Sequence, residues 1–177
     1  MKFAICIDKV NEAYHFLLLM RVAELPEEGD AVPARLQGEA AFRFAFSAFL
    51  GATRTVLYYL QEEGADLSGF TRWYVSARER LLKDSVGAFF TDRREFRLVF
   101  AEAVSMTALA PPASTQHQIQ PIPRSLLPNV HAELGPSKVS FFDKPGYPAS
   151  ELCARYLENL TSLVDQAQRL AGGALGG

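Results

Sequence analysis

Apolar positions recur at helical spacing over most of this chain. Val10, Ala13, Tyr14, Leu17 and Leu18 share one stripe, which predicts a first helix capped by Asp8 and closed before Pro26 at about Glu24. Ahead of it, Phe3, Ile5 and Ile7 alternate as a short strand would, although the helix could equally start earlier. Pro26 to Leu36, with Glu27, Glu28, Gly29, Asp30 and Pro33, reads as a solvated linker between elements. From Gln37 to Glu63, Phe42, Phe46, Phe49, Thr53, Val56, Leu57 and Leu60 keep helical spacing, and Gly64 stands where the helix should end. Ser47 with Gly51, and Ala48 with Ala52, add a second, small-residue face. A helix wanted on two sides should be central to its bundle, with Phe46, Phe49, Leu57 and Trp73 in the core.

A third helix is expected from about Ser68, carrying Phe70, Trp73, Tyr74, Ala77 and Leu81, with Asp84 as the cap of a fourth. Read as one helix, Ser85 to Val104 places Val86, Phe89, Phe90, Phe100 and Val104 on an apolar arc with Arg93 and Arg97 in its middle. Two arginines there need an explanation. One is pairing with a buried acid or snorkelling to the rim; the other is an anion site at a subunit seam.

Six prolines between Pro111 and Pro136 exclude helix until about Pro148. Val130, Ala132 and Leu134 alternate, as do Val139 and Phe141, with Gly135-Pro136-Ser137 between, which predicts a small hairpin. The last helix, from about Pro148, should bury Leu152, Tyr156, Leu160, Leu163, Ala167 and Leu170. The expected fold is mainly α: an antiparallel bundle of four to five helices with a hairpin-like excursion before the C-terminal helix. Residues 1–171 form one domain in this reading, and 172–177 a flexible Gly-rich tail.

Composition narrows the functions. A length of 177 residues is enough to bury one sizeable core, and 13 Phe give that core rings to build on. A net charge of -2 lacks the broad positive footprint of a duplex-DNA or membrane-surface binder, so any nucleic-acid contact has to use a local patch. Cys6 and Cys153 match no metal or redox spacing and read as buried thiols. The apolar run from Phe16 to Met20 is too short to cross a bilayer and Met1 to Ile7 too short for a signal peptide, so a cytoplasmic location without a membrane partner is expected. No phosphate loop, HExxH, CxxC, GxSxG or EF-hand is present, and His15, His117 and His131 do not cluster. No cofactor and no metal are expected.

One resemblance runs through most of the chain in order. Phe44-Ala45-Phe46-Ser47-Ala48-Phe49-Leu50-Gly51-Ala52-Thr53-Arg54, Trp73-Tyr74 with Leu82-Lys83-Asp84, Phe141-Phe142-Asp143, and Glu151-Leu152-Cys153-Ala154-Arg155-Tyr156-Leu157 are similar to successive signatures of the HEPN-like superfamily. The resemblance implies a helical bundle that dimerises and binds RNA or nucleotides, and whose active members cleave RNA in toxin, phage-abortive or stress-response systems. Their nuclease motif sets Arg and His five residues apart. Here five on from Arg93 is Leu98 and five on from Arg94 is Val99, and Arg94 stands where Asn is usual. Without the histidine, no group at that position titrates near neutral pH to shuttle protons.

The expectation is therefore a non-catalytic homodimer, joined through the fourth helix, that holds RNA or nucleotide phosphate with Arg93, Arg94 and Arg97. Arg54, His117 and His131 are weaker binding candidates. One alternative is a ribonuclease toxin in which His117 or His131 replaces the missing base. The other is a bundle that binds an antitoxin or another protein and has no anion site.

Overall fold

The computed structural model describes residues 2–25, 36–91, 95–100 and 139–174. Five helices carry the fold: α1 (Ala4–Ala23), α2 (Gly38–Gly64), α3 (Phe70–Lys83), α4 (Ser85–Thr91) and α5 (Ala149–Ala174). Between α4 and α5 lies an antiparallel sheet of β1 (Leu98–Phe100), β2 (Val139–Phe141) and β3 (Lys144–Pro148), in the order β1-β2-β3. The chain is mainly helical, with the small β excursion where it is expected.

α1 begins before Asp8, and the segment Phe3 to Ile7 is not a strand. Phe3 adopts a left-handed conformation (φ 64°) and buries its ring against Phe70. The first-turn amides of Ile5 and Cys6 donate to the Glu63 carboxylate at 3.4 and 3.0 Å. The cap thus comes from the far end of α2, and α1 and α2 run antiparallel. The Cys6 thiol donates to the Val56 carbonyl at 3.4 Å. On α1, Ala13, Leu17 and Leu18 are buried as expected, whereas Tyr14 is 45% exposed.

α2 packs most extensively on α1 and also meets α3, α4 and α5, and α5 likewise touches every other helix. Its Leu152, Cys153, Tyr156, Leu157, Leu160, Leu163, Val164 and Ala167 are buried, an apolar stripe broad enough to face several partners. Phe46 and Phe49 are core, while Leu57 and Trp73 are only partly buried and Leu170 is exposed. Nor is α2 buried on two faces. Ser47 and Gly51 are open to water, although Ala52 is buried. α5 also continues through Gly172 to Ala174, the expected start of the tail.

Asp84 caps α4 as expected: its carboxylate accepts from the Val86 and Gly87 amides at 3.0 and 2.8 Å, and from Asn159 Nδ2 at 3.0 Å. Gly87 is required by packing. A Cβ there would stand 2.0 Å from the Leu81 carbonyl oxygen, where α3 gives way to α4. Alanine is favoured over glycine in a helix by about 1 kcal/mol, but overpacking costs about 1–3 kcal/mol. Because the atom met is backbone oxygen, the cost falls at the upper end, and Gly87→Ala should lower stability by about 2 kcal/mol in urea denaturation; unchanged or raised stability would show that the junction yields freely.

The fourth helix ends at Thr91, not near Val104, and Leu98–Phe100 is a strand. Phe96, Leu98 and Phe100 turn inward while Glu95, Arg97 and Val99 are exposed, a period of two. This places Arg97 on the solvent side, and no acid is buried among the described residues. Phe89 and Phe90, the rings of the fourth helix, are buried within the protomer, so they are not exposed to form a dimer seam. Phe89, Phe90, Phe96, Phe141 and Tyr156 form an aromatic nucleus, with Phe90 stacked on Tyr156 at 4.8 Å. β2 pairs with β1 and with β3. Its expected partner, Val130 to Leu134, lies outside the described residues, as does the linker up to residue 35.

Candidate anion-binding face

The sheet brings distant cations to one end. Leu98 is paired with Phe141, and Phe141 with Lys144, so the start of β1 and the start of β3 flank the end of β2. The Phe142 amide donates to the Arg97 carbonyl at 2.9 Å, extending the ladder to the residue before β1. That bond uses the Arg97 backbone and leaves its exposed guanidinium without an ion-pair partner among the described residues. In the turn between β2 and β3, the Phe142 ring is 61% exposed.

Beyond the turn, Lys144 lines a cavity of about 100 Å³ together with Ser85, Val86, Phe89, Tyr147, Leu152 and Arg155. Val86, Phe89 and Leu152 give it an apolar wall; Lys144, Arg155, Ser85 and Tyr147 bring charge and hydroxyls. Arg155 is partly committed, since it pairs with Glu151 one turn earlier on α5 at 3.0 Å. At ~30 Å³ per water the space suits a few waters or one small anion, well below the ~300 Å³ at which pockets for larger ligands begin. Such a cavity can hold a phosphate or carboxylate group.

Of the residues singled out from the sequence, Arg97 lies at this end of the sheet but does not line the cavity. Arg93, Arg94, His117 and His131 lie outside the described residues. Arg54 is exposed on α2 and belongs to a different neighbourhood: its charge favours the ionised form of Tyr156, whose hydroxyl is 3.5 Å from Thr91 Oγ1. Burial outweighs both influences and raises the Tyr156 pKa. Lys144, Arg155 and Phe142 escaped the sequence reading. The one available signal was the run Phe142-Asp143-Lys144-Pro145-Gly146, a turn-forming stretch with a ring and a cation beside it.

The thiols are poor reactive groups. Burial, reinforced by the Glu63 carboxylate, pushes Cys6 up to about 12, and burial raises Cys153 well above the ordinary thiol range. Among the described residues no group of three His, Cys, Asp or Glu side chains is placed to hold a metal ion, and no helix is long and apolar enough to cross a membrane. No protein-family model, no curated protein and no solved structure matches the chain.

Proposed function

We propose that this chain is a non-catalytic, HEPN-like bundle protein that acts as a homodimer and holds RNA, or a nucleotide phosphate, at the Arg97 end of its sheet. The supporting observation is the exposed Arg97 guanidinium next in register to the exposed Phe142 ring at one end of the sheet. Cations follow a phosphate backbone, and a projecting ring offers a stacking surface to an unpaired base. Arg93 and Arg94, expected from the sequence to share this contact, lie outside the described residues. The near-neutral chain suits such a local patch, and single-stranded RNA is the ligand that uses charge and ring together.

Fluorescence anisotropy with a 12-nucleotide unstructured RNA tests this. Neutralising three phosphates of a single strand gives a log–log salt slope of about -2, or roughly a 20-fold loss of affinity between 50 and 200 mM salt. Arg97→Ala and Lys144→Ala should each make that slope shallower by about 0.7. Phe142→Ala should weaken binding by about 1–3 kcal/mol and leave the slope unchanged. No binding at 50 mM salt, or binding indifferent to all three changes, would leave the protein-binding bundle as the better reading.

A further inference from the structure

One face of α2 has no partner among the described residues, and its pattern is its own mirror image. Taking Gly51 as origin, Ser47 and Thr55 stand four residues to either side, and Phe44 and Tyr58 seven. All five fall within about 40° of one line down the helix, and each ring is ~10 Å from Gly51. Phe44 is 75% exposed and Tyr58 58%, unusual for rings on a helix whose other face is core. A Cβ at Gly51 would meet nothing within 4 Å, so packing in the protomer does not account for this glycine. The Thr55 hydroxyl is consumed by its own helix, donating to the Gly51 and Ala52 carbonyls at 2.6 and 2.9 Å, which leaves its methyl as the group to present.

We infer that a second copy of this chain covers this face, with α2 crossing its counterpart antiparallel on a two-fold axis at Gly51, so that each Phe44 meets the other Tyr58. An isologous interface requires a patch complementary to itself, with i against j and j against i. The spacing of this stripe meets that condition, which an unrelated partner would not impose. The small centre permits close approach, and the rings close both ends. Four rings at these exposures bury on the order of 500 Å². A stable interface needs roughly 1,000 Å² or more, and the remainder is available from exposed Ala40, half-buried Ala48 and the intervening surface of this ~40 Å helix. The inference gives a location to the homodimer proposed above and does not depend on RNA.

At a helix separation of 8–10 Å, the two Gly51 Cα atoms would lie about 4–5 Å apart, near disulfide range. Mild oxidation of Gly51→Cys should give a covalent dimer, whereas wild type, with both native thiols buried, and Val75→Cys, exposed on α3, should not. Light scattering should report twice the chain mass for wild type. Gly51→Leu, for which the protomer has open space, and Phe44→Glu should raise the dimer dissociation constant at least 100-fold while the circular dichroism spectrum stays unchanged. A wild-type monomer at 100 µM, or a dimer indifferent to both substitutions, overturns the inference. Anisotropy on the same variants reports RNA binding separately, so failure of one proposal is distinguishable from failure of the other.

Discussion

Phe90→Ala should cost about 3–5 kcal/mol, a large share of the ~5–15 kcal/mol that holds a domain of this size. Phe90 is 1% exposed and stacks on Tyr156 with an interplanar angle of 19°. It also meets Phe49, Phe89 and Phe141 edge to face and Phe96 at a tilt. These rings come from α2, α4, α5, β2 and the segment before β1. Removing Phe90 opens a cavity that five elements would have to close together. Urea denaturation followed by circular dichroism should show a lower midpoint with an unchanged slope. Phe44→Ala, on a ring that is 75% exposed, is the control and should stay within about 0.5 kcal/mol at a concentration where the chain is monomeric. A loss under 1 kcal/mol for Phe90→Ala would mean that the nucleus does not join the sheet to the bundle.

Helical periodicity carried α2, α3 and α5 because each has a clear apolar stripe, and Asp84 was legible because its cap is local. The start of α1 was not. Its capping carboxylate, Glu63, is 57 residues from Cys6 along the chain. Glu95 to Phe100 satisfies both periods over so short a run, and arginines in the middle of an apolar helical arc were the sign that the period was wrong. A period of two sends Arg97 outward and Phe96, Leu98 and Phe100 inward, and the anomaly disappears. The cationic face was hidden for a different reason. Ser85, Lys144 and Arg155 meet only because the β2–β3 turn folds over α4 and the first turns of α5, and no spacing rule encodes that meeting. The small residues Ser47 and Gly51 predict a second buried face of α2, but they are open to water, and among the described residues no helix sits there.

Incubation with unstructured RNA in the absence of added metal should give no products above background, even at 50 mM salt where binding is strongest. Cleavage through the 2′-hydroxyl needs one group to take that proton and another to protonate the leaving oxygen, and each such group is typically worth ~10² to 10⁴-fold. At the positions five on from Arg93 and Arg94, the chain has Leu98, paired in the sheet with Phe141, and Val99, paired with Ser140. Both are hydrocarbon. A guanidinium is a permanent cation that can stabilise a phosphate but cannot exchange protons with it. The informative comparison is between wild type, His117→Ala and His131→Ala on one gel: equal background in all three is the expected result. Cleavage by wild type that falls 100-fold or more in either histidine variant would identify a displaced base and replace the binding role with a ribonuclease. In that event Arg97→Ala should also lower the rate, since the same guanidinium would face the phosphate in the transition state.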